Sequence, residues 1–229
     1  MTLGIIIQAR MGSTRLPGKV LRPIADKPLL AHVIGRIALL RHPVTAVVAT
    51  STMAADDAIQ DWCAAQQPAV PCFRGDEEDV LDRYLRCAEQ YGFTQVIRLT
   101  ADNPFTDMAE LDRLLDLHLA GGYAYSHAFG IMPLGVGAEV MTIEALRISH
   151  HDGHEPHHRE HVNEYIQEHP ELFPTAVLNV PQQKRRPDLQ TLLPGWTPRR
   201  LFDDAVLVAH QRTQPATAIG GQLPNHLIQ

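Results

Sequence analysis

Between Gln8 and Leu21 the chain sets Arg10, Arg15 and Lys19 among Gly12, Ser13, Thr14, Pro17 and Gly18, with no carboxylate in the stretch. Glycines let backbone N–H groups turn toward an anion, hydroxyls add donors, and guanidinium forks with an ammonium neutralise phosphate oxygens. That supply of donors matches a triphosphate. A solvated basic turn is the competing reading, and the stretch is not a Walker loop, because Gly12 and Gly18 stand six apart and Val20 follows the lysine. Asp102, ahead of Asn103-Pro104, is either a metal ligand at a strand end or a turn starter. His150, His151, His154, His157, His158 and His161 fall within twelve residues, out of 13 histidines in all. His154 with His158, and His157 with His161, are four apart and could share a helix face. His-Glu-x-x-His is absent, however, and Pro156 interrupts or begins the helix. A dedicated catalytic zinc is therefore not expected; a helix start that shapes a pocket or a dimer contact is. Arg159 there has a fork suited to a carboxylate or phosphate, with pairing to Glu155 or Glu160 as its other use.

Positioning such residues takes a scaffold, and 229 residues suffice for one α/β domain with a full core. Lys plus Arg number 20 against 26 Asp plus Glu, a net charge of −6 that argues against a nucleic-acid surface; any basic site is local. The start, Met1 to Ile7, lacks a charged n-region and its apolar run is too short for a signal peptide or membrane span, so a cytoplasmic protein is expected. Cys63, Cys72 and Cys87 lack Cys-x-x-Cys spacing and read as reduced, mostly buried thiols.

Apolar runs and three- to four-residue periodicity alternate along the chain. The pattern predicts strands at 4–9, 46–50, 70–74 and 95–100, and helices from Pro28 to near Arg41, then over 56–65, 79–91 and 107–119. Four such units indicate a mainly parallel sheet flanked by helices. After Tyr123 the rhythm loosens: strands are expected at 123–126, 138–141 and 176–180, and helices at 143–149 and 159–167. Prolines punctuate an irregular tail over 181–229, with one helix expected at 201–212.

The run Ile7-Gln8-Ala9-Arg10-Met11-Gly12-Ser13-Thr14-Arg15-Leu16-Pro17-Gly18-Lys19 resembles the N-terminal signature of cytidylyltransferases that make CMP-activated acidic sugars, of the spore-coat polysaccharide and 3-deoxy-manno-octulosonate types, with acylneuraminate enzymes more distant. Three further stretches match in order: Phe73-Arg74-Gly75 with Asp79-Val80-Leu81-Asp82-Arg83-Tyr84; Ile97-Arg98-Leu99-Thr100-Ala101-Asp102-Asn103-Pro104; and Arg159-Glu160-His161-Val162. The resemblance implies a Rossmann-like nucleotide-diphospho-sugar transferase fold. It divides the chain into a nucleotide-binding part (1–122), an acceptor and dimerisation part (123–180) and the tail. It places Ala9 and Arg10 at the nucleotide, Gly12, Ser13 and Arg15 along its phosphates, Lys19 on the β and γ groups, and Arg74 and Gly75 beside base or ribose. Asp102 would hold Mg²⁺, and CTP, a small acidic sugar-like acceptor and a homodimer are implied with it. Arg159 and His161 would face the acceptor. Gly135-Val136-Gly137-Ala138-Glu139-Val140 also resembles the family's approach to a Glu-bearing strand, so Glu139 would contact sugar hydroxyls or else serve as an edge-strand charge.

One stretch departs from the pattern. Where relatives carry a second metal carboxylate, this chain reads Gln183-Lys184-Arg185-Arg186-Pro187-Asp188-Leu189, with Asp188, Asp203 and Asp204 as possible substitutes. Mg²⁺ can be held by one carboxylate plus phosphates and water. The leading expectation is a Mg²⁺-dependent cytidylyltransferase. A glycosyltransferase of related fold is disfavoured because no second Asp follows Asp102-Asn103, and a catalytically weak nucleotide-binding subunit stays open.

Overall fold

Ile5, Ile6 and Ile7 are wholly buried, as three consecutive apolar residues must be when a strand lies in mid-sheet with helices on both faces. The computed structural model describes residues 1–13, 16–129, 132 and 135–185. In chain order its strands and helices are β1 (Leu3–Gln8), β2 (Pro23–Ile24), β3 (Lys27–Pro28), α1 (Leu29–Ile37), β4 (Thr45–Ser51), α2 (Asp57–Ala65), β5 (Cys72–Gly75), α3 (Val80–Gln90), β6 (Gln95–Thr100), α4 (Met108–Gly121), β7 (Tyr125–His127), β8 (Glu139–Thr142), α5 (Ile143–Asp152), α6 (Pro156–Glu160), α7 (Glu164–Glu168) and β9 (Thr175–Val177).

The main sheet has seven strands in the order β5-β4-β1-β6-β8-β7-β9. β1 pairs in parallel with β4 and β6, and β4 with β5, so four strands end at one edge. β8 runs antiparallel to β6 and β7, while β9 is parallel to β7. Alternation along the strands divides the core. Ile5, Ile7, Ile97 and Leu99 face Leu30, Ile59, Leu111 and Leu115 on one side. Ile6, Val47, Val96 and Met141 face Leu81, Tyr84, Leu146 and Ile166 on the other. Tyr84, fully buried, ties the layers together: its hydroxyl lies 3.3 Å from the carbonyls of Ile6 and of Leu99.

Three expectations are corrected. Pro28 closes the β2–β3 hairpin and caps α1, which starts at Leu29. That helix stops at Ile37 because the next N–H groups tighten to three-residue bonds and the Arg41 N–H is captured by Asp112 at 3.0 Å. The helix expected over 159–167 is two helices, α6 and α7, broken where His161 turns extended and Val162 drops into the core. Cys63 and Cys87 are buried, Cys72 is half-buried, and all three are free thiols. Among the described residues no helix is long and apolar enough to cross a membrane. Arg15, Asp188, Asp203, Asp204 and the helix expected at 201–212 lie outside the described residues.

Candidate active site

The basic loop leaves β1 at the edge where parallel strands end, and its two ends are tied together. Ala9 N–H still bonds Ala49 O at 3.0 Å, and Gly18 N–H bonds back to Met11 O at 2.9 Å. Gly18 adopts φ 70°, a left-handed conformation that favours glycine, and this starts the one-turn 3-10 helix Lys19–Leu21. Over Gly12 a Cβ would meet nothing within 4 Å, so the backbone there is open to a ligand. Met11 N–H donates to Asp56 Oδ1 at 2.7 Å, and Asp56 Oδ2 accepts the Ser51 N–H at 3.1 Å and its hydroxyl at 2.5 Å. Burial alone would raise the Asp56 carboxyl; the Met11 and Ser51 donors outweigh it and hold its pKa below the usual value.

Lys19 and Asp102 meet on the floor of this edge, Nζ to Oδ2 at 2.7 Å, with their side chains only 7% and 9% exposed. Asp102 is carried there by β6, whose register is held to β1 by the Ala101 N–H on Gln8 O at 2.9 Å. The turn that follows is built by Asn103, whose side chain accepts the Phe105 N–H at 3.2 Å and donates to Gly135 O at 2.6 Å. Asp102 itself lies within the preceding turn, closed by the Asn103 N–H on Thr100 O at 3.1 Å, with its carboxylate on Lys19.

Both groups open on a cleft of about 670 Å³. It is lined by Arg10, Gly12, Ser13 and Lys19 from the loop, by Val80 at the start of α3, by Arg98 and Thr100 on β6, and by Glu160 and His161 at the end of α6. Asp102 lines it as well. Arg10 and Lys19 bring two cations to it from the loop.

The remaining expected residues lie elsewhere. Ala9 is buried. Arg74 braces the neighbouring turn, donating to the carbonyls of Ser51 and Met53 at 2.8 Å and pairing with Asp57 at 2.5 Å, and is not a cleft-lining residue. Gly75 lets β5 approach α3, since a Cβ would stand 2.9 Å from Arg83 Cγ. Glu139 is not an edge-strand charge: β8 lies between β6 and β7, and the carboxylate is 1% exposed, 2.6 Å from Arg98. Arg159 pairs with neither Glu155 nor Glu160; its Nη1 stands 3.6 Å from Asp79.

The histidine pairs four apart do not share a helix face, because the five-residue α6 begins at Pro156, after His154, and ends before His161. Instead His150 bonds Asp82 at 2.9 Å, while His157 and His158 grip the two oxygens of Glu168 at 2.9 and 2.7 Å. His158 Nδ1 accepts the Glu155 N–H at 3.3 Å, which assigns its proton to Nε2 and makes the group a hydrogen-bonded brace between α6 and α7. The aberrant basic stretch has a structural use too: Lys184 bonds Asp107 at 2.8 Å and Glu110 at 2.9 Å at the start of α4.

Two residues that shape or line the cleft were not singled out from the sequence. Asp56 could have been suspected only from a three-dimensional neighbour, 45 residues from Met11. Arg98 carried a signal, a charged residue in the middle of an apolar strand.

A family model described as cytidylyltransferase matches residues 4–212. Among curated relatives, the spore coat polysaccharide biosynthesis protein SpsF of Bacillus subtilis is 40% identical over 187 residues, 80% of this chain and 77% of that protein. A 3-deoxy-manno-octulosonate cytidylyltransferase of Geobacter sulfurreducens is 34% identical over 115 residues, 50% of this chain and 44% of that one. Among solved structures, a cytidylyltransferase from Leptospira borgpetersenii superposes with a TM-score of 0.74 at 26% identity, covering 93% of this chain and 95% of the other. With a match over nearly its whole length and its signature loop facing a strand-end carboxylate across one cleft, the chain belongs to the cytidylyltransferase family.

Proposed function

We propose that the chain transfers CMP from CTP to a small acidic or phosphorylated sugar-like acceptor, with release of pyrophosphate. The observation that carries this reading is the juxtaposition of Arg10, Gly12, Ser13 and the Lys19–Asp102 pair on one cleft. An acceptor oxygen attacks the α-phosphorus in line; the bond to the β-phosphate breaks, pyrophosphate leaves and the acceptor proton is released to water. Charge grows on the non-bridging and leaving oxygens, where Arg10, Lys19 and the loop N–H groups stabilise it, and no covalent enzyme intermediate is needed.

The donor set suits Mg²⁺, a hard cation that takes carboxylate, phosphate and water oxygens: Asp102 is a carboxylate at the strand edge beside the phosphate loop. Bound there, Mg²⁺ would neutralise phosphate charge. Lys19, now on Asp102, has the charge and reach to turn to the phosphates. The acidic acceptor is supported by the 3-deoxy-manno-octulosonate relative. A cytoplasmic location and a homodimer through the part after Tyr123 belong to the same proposal and rest on the resemblance.

Pyrophosphate release measured with each nucleoside triphosphate against a panel of sugar acids, with and without Mg²⁺, tests the reading. Turnover with CTP that needs Mg²⁺ is expected. Consumption of a nucleotide-sugar instead would point to a glycosyltransferase, and nucleotide binding without turnover to a non-catalytic subunit.

A further inference from the structure

Arg98 sits mid-strand in β6, on the same face as Thr100 and Val96, where most side chains are apolar. A guanidinium placed there must be compensated, and Glu139 on the adjacent β8 does so: Nη1 donates to Oε1 at 2.6 Å. The other oxygen of Glu139 accepts the Tyr125 hydroxyl at 2.5 Å, and Tyr125 in turn accepts from the side-chain amides of Asn163 at 3.4 Å and Gln167 at 3.2 Å. Burial raises the Tyr125 pKa and the Glu139 charge raises it further, so the hydroxyl keeps its proton and stays a donor. Burial would lower the Arg98 pKa, but Glu139 outweighs it and the guanidinium stays charged.

Glu139, 1% exposed and engaged through both oxygens, is built to orient its partner and not to meet a ligand. Arg98 is different. One fifth of its side chain is exposed, and it lines the cleft. Its Nε is buried without a hydrogen-bond partner, and among the described residues with such an orphan atom it alone lines the cleft. Native proteins leave few such donors unsatisfied, and a fork fixed in plane by a carboxylate behind it is suited to a planar or tetrahedral oxyanion in front.

Resting on the cytidylyltransferase reading, we infer that Arg98 is the residue that selects an anionic acceptor, receiving its carboxylate or phosphate, and that Glu139 and Tyr125 are positioning residues that hold the guanidinium toward the cleft. The acceptor's charge is thereby read from a core strand of the nucleotide-binding half.

The test uses the full chain and steady-state pyrophosphate release from CTP with 3-deoxy-manno-octulosonate, N-acetylneuraminate, sugar phosphates and the neutral counterpart of each. Two variants are compared. Arg98→Lys keeps the charge but loses the fork, and Arg98→Met with Glu139→Gln removes both charges so that none is left buried and alone. CTP affinity by calorimetry reports folding. In both variants the KM of the acidic acceptor rises roughly tenfold to a hundredfold, while the KM of CTP stays within about twofold and the preference over the neutral counterpart shrinks. Whether the preferred substrates are carboxylates or phosphates identifies the group received. An unchanged acceptor KM, a parallel rise in the KM of CTP, or turnover of neutral acceptors alone overturns the inference and leaves CMP transfer standing. Absence of pyrophosphate release with every acceptor overturns CMP transfer, and this inference with it.

Discussion

The two halves of the sheet serve the cleft in different ways. On the parallel side, β1, β4, β5 and β6 end at one edge, so a single stretch after β1 delivers Arg10, Gly12, Ser13 and Lys19 together, and β6 brings Asp102 opposite. On the antiparallel side, short strands and broken helices deliver single groups from separate places: Glu160 and His161 from the end of α6, and Glu139 and Tyr125 from β8 and β7 behind Arg98. Phosphates, alike whatever nucleoside carries them, can be met by one contiguous loop. An acceptor of particular shape and charge needs a wall assembled from many elements, and Arg98 joins the two sides, since it stands on a parallel strand and is aimed by an antiparallel one.

The comparison is broken most sharply by Lys19→Ala and Arg10→Ala. Each is expected to lower turnover by about two to three orders of magnitude, as loss of a charge-stabilising donor does. Arg10 is exposed, so its variant should melt as wild type does. Near wild-type turnover in both would remove the loop from catalysis. Next is Asp56→Asn, which unfastens Met11: we expect a loss of roughly 1–3 kcal/mol in stability and about a tenfold rise in the KM of CTP, with the acceptor KM unmoved. Because the folded pKa of Asp56 is depressed, its contribution is present above the ordinary carboxylate value of about 4 and lost as pH falls below it. The wild type should therefore lose more stability than Asp56→Asn between about pH 4 and pH 2, as read by thermal melts. Tyr125→Phe, acting from the antiparallel side, should raise only the acceptor KM, a few-fold, for about 1 kcal/mol of lost hydrogen bonding. Smallest is Lys184→Ala: the lysine is part-exposed and its buried partner Glu110 keeps Arg113, so a loss of about 1 kcal/mol is expected, with turnover unchanged if the basic stretch is structural.

The contrast between the halves also explains what was legible in the sequence. Buried parallel strands are continuous apolar runs, so β6 is read at its observed bounds and β1, β4 and β5 to within one or two residues. The loop was legible because its chemistry is contiguous. After Tyr123 the determinants are long-range. Nothing local distinguishes an interior antiparallel strand from an edge strand, so the surroundings of Glu139 could be read either way until β7 was placed beside β8. The break at His161 depends on Val162 finding the core. The Asp79-to-Tyr84 stretch was legible as a helix start, while the structural uses of its side chains were not. Asp79 caps α3, accepting the Asp82 N–H at 2.8 Å, Asp82 holds His150, and Tyr84 spans β1 and β6.

The most direct measurement is a crystal structure of the chain with CTP and Mg²⁺. The account predicts the triphosphate seated between Gly12 and Lys19, with Arg10 on its oxygens, Asp102 at the cation and the Arg98 side of the cleft left for the acceptor. A nucleotide found elsewhere, with the loop after β1 empty, would contradict it.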